Sequence, residues 1–185
     1  MKVWKRLRHP NVMPFIGSIV FESPMRALFL ISPWMENGDL GTYIKANPKA
    51  DRLRLLTQIA TGLEYLHTSD VVHGDLKAAN VFISGTGDAR IGDFGLSEVV
   101  SEMTGDTQGY SSAWKYGGNP RWQAPELWSD YKRTKPSDMF AFGRVIYEVC
   151  AAVFRRFHPL YFYAIGLHRR LSIRPSKQSP DLQHS

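Results

Sequence analysis

The stretch Asp51–Ser69, DRLRLLTQIATGLEYLHTS, constrains the fold of this chain more than any other. Leu56, Ile59, Ala60, Leu63 and Leu66 recur at the spacing of one helix face, and Asp51 suits the N-cap. A helix with one apolar face has to lie against a core, so these residues are assigned to it. The short β-like runs VVH, NVFIS and ARIGDF come next, the last two joined by the turn GTGD. Between the first two runs, in VVHGDLKAANVFIS (Val71–Ser84), Asp75, Lys77 and Asn80 are bunched together. Polar residues so placed are either an ordinary turn or a site of chemistry.

The flanking segments supply further elements. Val3, Trp4 and Leu7 share one face of what the spacing predicts to be the last turns of a helix. Two strand-like runs follow, VMPFIGSIVF and RALFLIS, separated by the turn-like ESPM, and PWMENGDLGTYI bends at its glycine into a short helix. Leu96 to Gly118 is polar, without a defensible period, and loops of that length in a compact domain are usually functional or mobile. A second helix is predicted from about Ser137 to Cys150, with Phe140, Val145, Ile146 and Val149 among its apolar positions.

At 185 residues the chain is long enough for one domain with a sizeable core. The formal charge of +6 belongs mostly to the end: residues 151–185 hold six Lys and Arg against one acidic residue, and residues 1–150 hold 17 against 16. A nearly neutral body argues against nucleic acid as a partner, and the basic tail allows weak surface contacts at most. No apolar run reaches the roughly 20 residues of a membrane span. The single cysteine, Cys150, and a start without a secretory apolar centre fit a reducing, cytoplasmic setting.

Transfer of a phosphoryl group from ATP needs a carboxylate to accept the hydroxyl proton, oxygen ligands for Mg²⁺ and positive charge near the γ-phosphate. Asp75 can be the base, Asn80 a metal ligand through its amide oxygen, and Lys77 the neutralising cation. A second carboxylate, Asp93, lies in IGDFGLS.

HGDLKAAN, DFG and APE (Ala124–Glu126), in that order and at compatible spacing, resemble the catalytic half of a protein kinase domain. LRHPNVMPFIG resembles the junction of the family's C helix with its fourth strand, LISPWMENGDL its hinge and KPSDMFAFGRVIYE its F helix. Together with the wording RWQAPE, the set looks like the tyrosine-kinase-like group of serine/threonine kinases. The resemblance covers about residues 1–150 and implies an α+β, protein-kinase-like fold. Residues 1–33 would be a partial small lobe, with the end of the C helix and two strands. Residues 34–150 would be the hinge and a mainly helical large lobe through the F helix, and residues 151–185 a tail outside the pattern.

The resemblance implies Asp75 as catalytic base and Lys77 at the γ-phosphate, with Asn80 and Asp93 holding Mg²⁺. It places Ser32 at the gatekeeper position and Pro33 and Met35 in the hinge against adenine. Phe82 would be the floor of that pocket, and Asp39 would complete the nucleotide site. The partner implied is a protein bearing Ser or Thr, because a lysine at 77 resembles serine/threonine-type loops. Trp4, Phe15, His73 and Phe94 match the family's stacked apolar spine, with Asp138 anchoring it.

Three departures stand out. Gly74 occupies the usual arginine position of His-Arg-Asp, which weakens control by phosphorylation of the 96–118 segment, although Thr104, Thr107, Tyr110 and Ser112 are available. Asn119 stands where a threonine usually bonds the base. Finally, no glycine-rich loop or lysine-bearing strand precedes the match, and the C-helix glutamate falls just before Met1 in register. A domain truncated at both ends is therefore expected, with impaired catalysis or a role as an interaction module. The usual arginine partner of Glu126 cannot be aligned within 151–185, which is costly if that carboxylate is buried.

Overall fold

The computed structural model describes residues 3–22, 27–99, 120–129 and 132–157. Its elements in chain order are β1 (Gly17–Phe21), β2 (Ala27–Ile31), α1 (Leu40–Ala46) and α2 (Arg52–Thr68). Then come β3 (Val71–Val72), β4 (Val81–Ile83), β5 (Ala89–Ile91), β6 (Glu98–Val99) and α3 (Lys135–Phe157). The strands form three antiparallel pairs, β1–β2, β3–β6 and β4–β5. Helices with short two-stranded sheets make this an α+β fold, the class that the resemblance implies.

The long helix forms where its sequence demands. The Asp51 side chain accepts from the Arg54 N–H at 2.9 Å and caps α2. Leu55, Ile59, Leu63 and Leu66 are buried, and the helix packs on β5 and β3. Ile83 and Ile91 of the β4–β5 hairpin are also fully buried, as are Leu40 and Leu76. The segment His9–Met13 runs beside β5: the Ile91 N–H donates to the Asn11 carbonyl at 2.9 Å and the Met13 N–H to the Ile91 carbonyl at 2.7 Å. That segment crosses α2 at Gly62, where a Cβ would meet the Asn11 carbonyl oxygen at 2.6 Å. Glycine is required there because two backbones touch.

Where the spacing predicts the last turns of a helix, the described residues form a single 3-10 turn, Trp4–Arg6, with Trp4 and Leu7 buried and Val3 against the core. The α3 helix is longer than its sequence suggests, beginning at Lys135 and running past Cys150 to Phe157. Its start is fixed by Thr134 and Ser137. The Ser137 N–H donates to Thr134 Oγ1 at 3.2 Å, and the Thr134 N–H donates to Ser137 Oγ at 2.9 Å. This is a reciprocal cap, and Pro136 fits the first turn, where its missing N–H costs nothing. At the other end no Gly or Pro interrupts AAVFRRF, so helical backbone continues.

The β1–β2 hairpin follows a different rule. Its register pairs Gly17 with Ile31 and Phe21 with Ala27, yet Ile19, Phe21, Leu28 and Phe29 are all about half exposed. The Phe21 and Phe29 rings meet edge to face at 5.3 Å, one local contact in a sheet that is two-stranded among the described residues. Residues 23–25 of the ESPM turn, residues 100–118 of the polar loop and residues 158–185 of the tail lie outside the described residues. No described helix is long and apolar enough to cross a membrane, and Cys150 is a free, exposed thiol.

Two glycine-to-alanine changes test this packing with opposite signs. Gly143 lies in α3 with no atom within 4 Å of its would-be Cβ. Alanine there is expected to stabilise by about 0.5–1 kcal/mol through helix propensity. Gly62→Ala gains the same propensity but forces α2 from the Asn11 backbone, and is expected to destabilise by about 1–3 kcal/mol. Chemical denaturation of the two variants beside wild type measures both.

Candidate active site

The polar loop after β3 is built around one buried carboxylate. Asp138, in the first turn of α3, is 1% exposed. Its Oδ2 accepts from the His73 N–H at 2.8 Å and from His67 Nε2 at 3.0 Å, and its Oδ1 accepts from the Gly74 N–H at 2.9 Å. A carboxylate taken out of water is tolerated when several donors replace its hydration, and Asp138 has three.

His73 carries the order inward. Its ring is fully buried, with Nε2 donating to the Gly92 carbonyl at 2.9 Å and Nδ1 accepting the Asp75 N–H at 3.2 Å. One nitrogen donates and the other accepts, so the carbonyl at Gly92 fixes the tautomer. The His73 ring also packs at a tilt against Phe94, centroids 5.3 Å apart, Phe94 lies 5.5 Å from Trp4, and Trp4 packs edge-on against Phe15 at 5.3 Å. Trp4 Nε1 donates to the Met13 carbonyl at 2.6 Å, which satisfies the indole within the core. The four spine residues are thus in one contiguous stack, with Asp138 at its base.

Asp75, Lys77 and Asn80 converge. Lys77 Nζ lies 2.5 Å from Asp75 Oδ2, and Asn80 Nδ2 donates to the same oxygen at 3.1 Å and to the Asp75 carbonyl at 2.8 Å. A carbonyl only accepts, so this contact fixes which end of the Asn80 amide is nitrogen and leaves Oδ1 as an oxygen donor for a cation. Asn80 is buried, and its own carbonyl accepts the Gly92 N–H at 2.8 Å, tying the loop to the residue before Asp93. Asp93 is exposed, at φ +59°, and its Oδ1 accepts the Gly95 N–H at 3.4 Å to cap the 3-10 turn Phe94–Leu96. An amide oxygen and a carboxylate suit a hard cation that takes its remaining oxygens from a phosphate chain and water.

The residues that the resemblance places at the hinge, Ser32, Pro33 and Met35, precede Asp39, the backbone partner of Phe82. Ser32 and Pro33 are half-buried, Trp34 is exposed and Met35 is buried in the core. The Met35 carbonyl accepts the Gly38 N–H at 3.1 Å, where Gly38 turns the chain at φ +66°. Phe82 is bridged to Asp39 through backbone, and its ring covers Gly92, whose would-be Cβ lies 3.0 Å from two ring carbons. The Asp39 side chain caps α1, accepting from the Thr42 N–H at 3.0 Å and the Thr42 hydroxyl at 2.6 Å. Burial pulls its carboxyl up, but the Thr42 hydroxyl and the backbone N–H groups of Thr42 and Gly41 outweigh it and hold it below the ordinary range.

Sequence reading missed two participants. Glu148 of α3 accepts from Trp122 Nε1 at 2.9 Å and from the Ala78 N–H at 3.3 Å, joining RWQAPE to the polar loop. Arg133 donates from Nε to the Gly74 carbonyl at 2.9 Å. Glu148 ends the KPSDMFAFGRVIYE stretch and Arg133 precedes it, but only the folded chain brings their side chains to the loop. Glu126 of APE is exposed, so the desolvation cost feared for it does not arise. Asn119 and the four hydroxyl residues at 104–112 lie outside the described residues.

A family model for protein tyrosine and serine/threonine kinases matches residues 1–160. The chain belongs to that family. It is 30% identical over 151 residues to the serine/threonine-protein kinase Nek3 of Mus musculus, covering 79% of this chain and 28% of that protein. It is 31% identical over 159 residues to the serine/threonine-protein kinase VIK of Arabidopsis thaliana, covering 78% and 33%. It is 32% identical over 152 residues to the discoidin domain-containing receptor tyrosine kinase B of Caenorhabditis elegans, covering 80% and 18%. The chain therefore spans a third or less of the length of these relatives.

A pH series tests the Asp39 cap. A carboxyl held below its ordinary value of 3.8 contributes stability that is present above that pH and is lost as pH falls below it, through the lower pKa of the folded chain. The denaturation midpoint of wild type is expected to fall more between about pH 6 and pH 3 than that of Asp39→Asn, which keeps a capping oxygen but no titrating one. Parallel curves would show that the cap carries no such linkage.

Proposed function

We propose that this chain is the phosphoryl-transfer half of a kinase domain directed at Ser or Thr of protein substrates. Its large-lobe site accommodates ATP and Mg²⁺, which supply the transferable group and the metal charge. One observation carries the reading: Asp75, Lys77 and Asn80 meet at a single carboxylate, whose oxygens are differentiated by their neighbours. Oδ2 takes both Lys77 and Asn80, so Oδ1 is the oxygen available to accept the hydroxyl proton. Lys77, at 2.5 Å from the base, is the cation that moves onto developing phosphate charge. Asn80 and Asp93 are the metal ligands, and Ser32, Pro33, Met35, Asp39 and Phe82 form the nucleotide site. Residues 1–150 form the kinase unit and 151–185 a basic tail of separate character.

The 185 residues contain no glycine-rich stretch or lysine-bearing strand ahead of His9–Asn11. Positioning and charge stabilisation supply nearly all the catalysis in this chemistry. The chain assayed by itself is thus expected to turn over orders of magnitude more slowly than a domain that clamps all three phosphates. A second reading, a kinase-fold interaction module, is favoured by the exposed apolar residues of β1–β2. A single assay separates the two: transfer of labelled γ-phosphate to a generic Ser/Thr substrate, with Asp75→Asn beside wild type. Slow transfer that falls at least about 100-fold in the variant supports the enzyme. A signal identical in both proteins, or none in wild type, supports the module.

A further inference from the structure

Gly74 departs from the family's His-Arg-Asp pattern, and the structure places another arginine against it. The Gly74 φ is +79°, in the left-handed region that residues with a side chain adopt only at a cost. A Cβ there would lie 2.5 Å from Cδ of Arg133 and 2.8 Å from the Leu96 carbonyl oxygen. Both separations are shorter than packed atoms tolerate, so the stem of Arg133 occupies the room a side chain at 74 would need.

Arg133 enters from the segment just before α3 and is 3% exposed. Its Nε donates to the Gly74 carbonyl oxygen at 2.9 Å. That oxygen belongs to the peptide whose N–H is the Asp75 N–H, and this N–H is bound to His73 Nδ1 at 3.2 Å. The peptide plane leading into Asp75 is thus gripped at its oxygen by Arg133 and at its nitrogen by His73. The preceding plane is gripped by Asp138 through the Gly74 N–H at 2.9 Å. Two side chains from one short segment, Arg133 and Asp138, hold both polar groups of residue 74.

We infer that Arg133 is a positioning residue for Asp75, supplying from outside the loop the arginine that the sequence lacks at 74. Its Nε fixes the Gly74–Asp75 peptide plane, and with it the direction of the Asp75 carboxylate. The orientation of Asp75 then follows from folding, and phosphorylation of another segment is not needed to set it. The catalytic part of this inference rests on Asp75 being the base; the structural part does not.

The test uses the full 185-residue chain. In isotope-labelled wild type, a through-hydrogen-bond coupling between Arg133 Nε and the Gly74 carbonyl carbon is expected, and its absence would overturn the inference without any variant. Arg133→Met keeps most of the stem and removes the donor, so the Gly74 carbonyl carbon resonance is expected to move upfield. Arg133→Lys, with stem, charge and a donor, is expected to recover at least half of that displacement. A Met variant with an unmoved resonance, or a Lys variant displaced as far as the Met one, would count against positioning by a hydrogen bond. In the transfer assay, Arg133→Met is expected to lower kcat by about 10- to 100-fold with KM for ATP unchanged. A raised KM with kcat unchanged would contradict the inference. Wild type without transfer would instead refute the enzymatic reading, while the resonances still decide the role of Arg133.

Discussion

The buried carboxylate of Asp138 is the interaction on which the rest of the site depends. A charge removed from water costs several kcal/mol unless donors replace its hydration. Here the donors are the His67 ring and the backbone N–H groups of His73 and Gly74. The requirement runs both ways: Asp138 needs those groups, and meeting that need fixes the backbone on which Asp75 stands. His73 then uses its two ring nitrogens to link Asp75 to Gly92, the residue before Asp93. One buried charge in α3 thereby orders two segments that are distant from it in sequence.

The apolar and polar systems meet at the same histidine. Its ring is the last member of the Trp4–Phe94–His73 stack and the hub of the hydrogen bonds around Asp75. Packing of the 3-10 turn at Trp4 is therefore mechanically connected to the polar loop through ring contacts. The β1–β2 hairpin is outside this system. Its apolar residues are exposed, and among the described residues its strands pair with each other and no further strand. Within this chain, order is concentrated where α2, β4, β5 and α3 surround the loop, on the side where a base, a lysine and two oxygen ligands are proposed to act.

Much of this was legible because the signals are local. Asp51 as a cap, the apolar face of α2 and the β4–β5 turn each follow from residues a few positions apart. The bunching of Asp75, Lys77 and Asn80 was legible for the same reason, and in the folded chain the three side chains meet at one carboxylate oxygen. The extent of α3 was not, because AAVFRRF carries no stop signal, and its cap lies in a Thr–Ser pair that the sequence reading passed over. The contacts of Arg133 and Glu148 were invisible because their partners, the Gly74 carbonyl for one and the Trp122 indole and Ala78 N–H for the other, lie far along the chain. Gly74 could be read as the loss of an arginine, but only its positive φ and the atoms around its missing Cβ show what fills the space.

The central claim is that the loop is assembled by its own buried contacts in the chain without nucleotide. Amide hydrogen exchange at His73 and Gly74, measured in the nucleotide-free 185-residue chain, tests it most directly. If Asp138 holds these groups, both amides exchange only through global opening, as slowly as those of Ile59 and Leu63 in the core of α2. Exchange of His73 and Gly74 orders of magnitude faster than α2, at the pace of a local loop fluctuation, would contradict the account.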